Sequence, residues 1–155
     1  MKKPDLTLEI IRDAVASLEY KLGIDDEEVN IVAEAYEEGY TEGYELAKYL
    51  DDNHWMDVDA AMVAALDELR HEVDRYHNKH IKVWMEENNI TPKFHPGDRA
   101  IFEGHEVLIA QIYSYRPYTY GIQFFNGDDR PILAAMPPVG GWRSRLVWFD
   151  EVEEK

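Results

Sequence analysis

The chain has 155 residues, enough for one compact domain or two small ones, and sets 16 Lys plus Arg against 32 Asp plus Glu for a formal charge of −16. That balance excludes a nucleic-acid binder working through its own basic surface, which needs clustered cations, and the lack of cysteine excludes disulfides, thiolate zinc sites and cysteine nucleophiles. No run approaches the roughly 18 apolar residues of a membrane span, and Met1-Lys2-Lys3 leads into Pro4 and Asp5 rather than an apolar signal segment, so the expectation is a cytoplasmic protein whose 45% apolar content forms a core.

Charge and pattern divide the chain at Pro92. Residues 1–92 hold 9 basic and 23 acidic side chains, and residues 93–155 hold 7 and 9. From Asp25 to Glu68 the only base is Lys48, so the acidity is local. The reading is α+β: an acidic helical domain over 1–91, built as a bundle of about three helices, then a small five-stranded β-barrel over 92–155.

The first helix carries Leu8, Ile11, Val15, Leu18 and Leu22 on one face. Asp5 or Thr7 is its start and Gly23 its C-terminal cap. A second helix begins at the Asp25–Glu28 cluster, where negative charge suits a helix N-terminus, and runs through Val29, Val32, Tyr36, Tyr40 and Tyr44 to about Leu50. Gly39 and Gly43 inside it cost roughly 1 kcal/mol each relative to alanine. Close approach of a backbone offsets that, either within the monomer or across a homodimer. The third helix, capped by Asp57, repeats Met62, Leu66, Leu69, Val73, Tyr76, His80 and Val83 in steps of four and three. It ends near Asn88–Asn89, before Thr91-Pro92.

Beyond Pro92 the pattern changes to short strands over 99–103, 106–115, 118–125, 130–135 and 145–149. Tyr120, Ile122 and Phe124 alternate with Thr119, Gly121 and Gln123, and Asn126-Gly127 is a strong hairpin signal. The segments "FHPGDRAIFEG" and "YGIQFFNGDD" resemble the opening and third strand of SH3-like barrels of the KOW or Tudor type. That resemblance covers about 60 residues. It implies a surface for peptides, modified side chains or nucleic acids, and no catalysis.

Catalytic patterns are missing. His71-Glu72 begins a His-Glu-x-x-His motif, but Arg75 takes the second ligand's place. His77 and His80 share a helix face without an obvious third ligand, and His80 also fits the apolar seam. Ser17, Ser114 and Ser144 lie in no nucleophile elbow. Val139-Gly140-Gly141-Trp142 lacks the lysine of a phosphate loop, and Asp128-Asp129 reads as a turn rather than a calcium loop. Neither a metal nor a cofactor is expected, and the chain reads as non-enzymatic.

The functional lead is the acidic belt. Glu34, Glu38 and Glu42 stand four apart, Glu45 continues the row and Glu37 flanks it. Like charges so spaced destabilise a helix by roughly 0.2–0.5 kcal/mol per pair. Their spacing of about 5–6 Å is on the scale of successive phosphates. With Asp51, Asp52, Asp57 and Asp59 they form a surface suited to the basic groove of a nucleic-acid-binding protein. Small acidic phage proteins that block restriction or CRISPR effectors are similar in charge and size. The alternative is an SH3-like adaptor that binds a protein or peptide through Tyr115, Tyr118, Trp142 and Arg143, residue types common at binding hot spots. Neither reading involves direct contact with nucleic acid or membrane.

Overall fold

The computed structural model describes residues 3–125 and 145–155. In chain order it contains α1 (Leu8–Ala16), α2 (Glu19–Leu22), α3 (Asp26–Glu37), α4 (Gly43–His54), α5 (Ala60–Glu87), β1 (Arg99–Phe102), β2 (His105–Ile112), β3 (Thr119–Phe124), β4 (Arg145–Trp148), a 3-10 turn at Phe149–Glu151 and β5 (Val152–Glu153). The fold is α+β. Its two compact units are Met1–His80 and Ile81–Lys155, a division that falls inside α5.

Two of the three expected helices are each divided. Thr7 caps α1, its hydroxyl accepting from the Ile10 N–H. The helix stops at Ala16, where the Ser17 hydroxyl turns back onto the Ala14 carbonyl at 2.7 Å. The Leu18 N–H reaches only three residues back, to Val15, at 2.9 Å. One further turn, α2, closes at Gly23 in the left-handed conformation, φ 68°.

A reciprocal cap starts α3. The Asp25 carboxylate accepts from the Glu27 and Glu28 N–H groups at 2.9 and 3.0 Å, and the Glu28 carboxylate accepts from the Asp25 N–H at 3.0 Å. The helix ends at Glu37 and does not continue to Leu50. Gly39 has φ +115°, which L side chains rarely adopt, and the chain turns over Glu38–Glu42 before α4 begins. Tyr40 stacks on Tyr49 at 4.1 Å, and the Tyr49 hydroxyl donates to Glu38 at 3.2 Å. Of the tyrosine repeat that looks like one helix, Tyr40 thus serves the turn, while Tyr36 is buried on α3 and Tyr44 is exposed on α4.

Asp59, not Asp57, caps α5, accepting from the Met62 N–H at 2.7 Å. Met62, Leu66, Leu69 and Val73 are buried as expected, but His80 and Val83 are exposed and Ile81 is buried instead. A strict seven-residue seam drifts around a straight helix of 3.6 residues per turn, and burial moves to the next row. The helical core centres on Val15, Val32, Leu46, Leu50, Leu66 and Leu69. Each such leucine contributes about 1.5–3 kcal/mol by leaving water.

In the second unit the strands form one curled antiparallel half-barrel sheet in the order β4-β3-β2-β1-β5, in keeping with the small five-stranded barrel expected. Ile109 faces Ile122, and a bulge between Ile109 and Gln111 bends β2. Thr119 to Gln123 of β3 are all buried, so the face that carries Thr119, Gly121 and Gln123 is covered as well as the one that carries Tyr120 and Ile122. The strand sits between β2 and β4 and is covered on both sides. The fifth strand, Val152–Glu153, is two residues long and was not among the expected strands. The Asn126-Gly127 hairpin and the 130–135 strand lie outside the described residues. Tyr120 is central to the core. Its hydroxyl accepts from the buried Phe94 N–H at 3.1 Å and its ring stacks on Phe149 at 4.2 Å. Among the described residues no helix is long and apolar enough to cross a membrane.

Candidate functional site

Every acidic side chain from Asp25 to Glu68 is exposed except Glu28, which is half-buried. The expected row does not share one helix. Glu34 and Glu37 lie on α3, Glu38 just past its end, Glu42 just before α4, and Glu45 in the first turn of α4. The break between Glu38 and Glu42 removes the rigid rod and its phosphate-like spacing. What remains is a surface of carboxylates carried by two helices and the segment after them.

Within that surface Glu42 pairs with Arg70 at 3.1 Å and Glu68 with Lys21 at 2.6 Å. Both pairs are more than half exposed, so each is worth little beyond holding its side chains. Among the described residues none of Glu34, Glu37, Glu45, Asp51, Asp52, Asp57 and Asp59 is in an ion pair. Asp51 and Asp52 sit near the C-terminal end of α4, where the helix dipole disfavours negative charge. Gly43 is closed off by α5: a Cβ there would lie 2.7 Å from the Asp67 backbone nitrogen. Gly39 has open space around it.

Between Asp52 and Asp57 stands a residue that periodicity does not single out. Trp55 is the C-cap of α4, with φ 55° and ψ 30°, and is 92% exposed. Its N–H bonds back to the Leu50 carbonyl, which turns the chain so that Met56 is buried, in the manner of a left-handed helix cap. Glycine is the usual occupant of such a position. The cue in the sequence was a lone tryptophan set among Asp51, Asp52, Asp57 and Asp59.

The barrel aromatics divide. Tyr115 is 65% exposed and meets Tyr113 edge-on at 5.1 Å. Tyr118 is only 6% exposed, which corrects its place in an exposed patch. It has φ 63°, and its ring contacts Trp84 edge-on at 5.3 Å and Phe149 at 5.0 Å. Burial, and then the nearby charge of Asp150, push the Tyr118 phenol above its ordinary pKa. Beside it lies an open groove of about 500 Å³, lined by Met85, Ile90, Ile112, Pro117, Tyr118 and Phe149 with Lys82 and Glu86 also on its walls. Trp142 and Arg143 lie outside the described residues.

The His77 ring nitrogen Nε2 lies 3.1 Å from the Pro4 carbonyl oxygen, and His80 is exposed. Among the described residues no group of three or more His, Asp or Glu is placed to hold an ion. Comparison of the chain with protein-family models, with curated proteins and with solved structures finds no match to any of them.

Proposed function

We propose that the chain is a non-enzymatic inhibitor or regulator whose acidic helical unit docks on the basic groove of a nucleic-acid-binding protein and competes with the nucleic acid for it. One observation carries this reading: the carboxylates from Asp25 to Glu68, the half-buried Glu28 excepted, are solvent-facing and, apart from Glu42 and Glu68, have no cation paired to them among the described residues. A surface shaped only for solubility intersperses both signs. Here the negative field is left for a partner to neutralise, which steers association electrostatically. The mimicry is of a charged surface and not of a phosphate-spaced row, since the α3–α4 turn interrupts the row.

The test is capture of partners on the immobilised chain at low and high salt. The reading expects a basic protein that is bound at low salt, shed as salt rises, and released by added DNA or RNA. Retention at high salt with indifference to nucleic acid overturns it.

A second reading, an adaptor binding a protein or peptide through the barrel, is supported by the apolar groove beside Tyr118. It expects the opposite sensitivities: Tyr115→Ala weakens capture, and salt has little effect.

A further inference from the structure

Trp55 breaks two local rules at once. It places a bulky side chain in left-handed backbone, where glycine fits without penalty. It also leaves nearly the whole indole in water, 92% exposed, so the ring contributes almost nothing to the helical core. Folding alone accounts for neither choice. Its surroundings depart from the ordinary in the same direction. Asp51 and Asp52 precede it at the unfavourable end of α4, Asp57 and Asp59 follow, and all four are exposed. None of the four is in an ion pair among the described residues. Departures of this kind concentrate at functional positions, and tryptophan is the side chain most enriched at the centre of binding hot spots.

We infer that Trp55 is the anchor of the acidic docking surface, and that it inserts into an apolar slot whose rim carries lysine or arginine on the partner protein. The inference rests on the reading of the helical unit as an acidic docking surface and adds to it the residue that fixes register. Charge complementarity sets the occupant. Four exposed carboxylates within four residues of Trp55 in the chain repel nucleic acid and anionic membrane, and they favour a cationic rim. Electrostatics brings the surfaces together, and desolvation of the ring between them holds the complex.

The test uses the full chain labelled with fluorinated tryptophan and two synthetic probes. One is an amphipathic helical peptide of leucine and lysine, whose apolar stripe is flanked by cations; the other is an oligolysine of equal charge. Loss of one fluorine resonance in Trp55→Ala identifies Trp55. The amphipathic peptide is expected to move that resonance and to bind about tenfold more tightly than oligolysine. Trp55→Ala should lower its affinity to the oligolysine level while leaving oligolysine binding unchanged. Trp55→Gly, which suits the left-handed backbone, should repeat the loss in a chain with no strain at that position.

If both variants bind the amphipathic peptide as the parent chain does, or the resonance stays still, the anchor is overturned and the acidic surface stands on its oligolysine binding. If neither probe binds, the acidic docking surface itself falls, and the anchor with it. A Trp55 resonance that moves with protein concentration alone makes a second copy of the chain the occupant and overturns the cationic partner.

Discussion

A Cβ placed on Gly43 would lie 2.7 Å from the backbone nitrogen of Asp67, so the start of α4 meets α5 at a distance that only glycine allows. Gly43→Ala must push the two backbones apart. Overpacking of this kind costs about 1–3 kcal/mol, more than the helix propensity that alanine adds. A lower urea midpoint is expected, and an unchanged or raised midpoint contradicts the close approach.

Trp55 carries the opposite expectation. Removing its Cβ relieves a left-handed conformation that costs L residues roughly 1–2 kcal/mol, partly offset by the freedom glycine regains when unfolded. Trp55→Gly should therefore raise stability by about 1 kcal/mol, while Trp55→Ala, which keeps a Cβ, should not. Thermal and urea unfolding of the two variants side by side read the difference. A less stable glycine variant would mean that the indole supports the fold.

In the second unit, Tyr120→Phe removes the hydroxyl that accepts from the buried Phe94 N–H. A buried donor left without an acceptor costs about 1–3 kcal/mol. Near-ultraviolet dichroism should follow the loss, because the same ring stacks on Phe149.

Glu106 gives the barrel a pH dependence of known sign. Hydrogen bonds from Lys155 and Arg99 hold its carboxyl below the ordinary range. A carboxyl lowered in the folded state adds stability above its unfolded pKa and loses it as pH falls through the lowered folded value. Glu106→Gln should thus be less stable than the parent chain at neutral pH, by a small margin because the pairs sit partly in solvent. The two melting curves should converge in acid, and a gap that widens in acid would reverse the assignment.

Sequence carried three of the four caps, each resting on one or two residues, and missed the fourth, where Asp59 rather than Asp57 caps α5; the fold class followed from the change of period at Pro92. Thr7, Asp25 and Gly23 do what their chemistry implies, and the Pro-Gly-Asp entry leads into β1 as the resemblance implied. Interruptions were harder to see. Tyr36, Tyr40 and Tyr44 keep a helical period across a turn set by the positive φ of Gly39 and the Tyr40–Tyr49 stack. Since that second partner is distant in sequence, periodicity could not reveal it. Val152–Glu153 is too short to show a period of two. Composition groups Tyr118 with Tyr115 as a binding aromatic, but Trp84 and Phe149 cover it. The acidic residues were legible as a group, yet their arrangement on one rod was not, because it depended on the same hidden turn. Trp55 has no periodic partner, and its meaning emerges only from its backbone angles and exposure.

The most direct measurement is the affinity of the chain for its captured partner, with and without competing nucleic acid, for the parent and for a chain carrying Glu34→Lys, Glu37→Lys and Glu45→Lys. These three are exposed and in no ion pair among the described residues, whereas Glu38 and Glu42 hold the turn and Arg70. The account predicts that the parent chain displaces DNA or RNA from the partner in a salt-sensitive manner, and that the reversed chain folds normally but no longer does so. A reversed chain that binds and competes as well as the parent would contradict it.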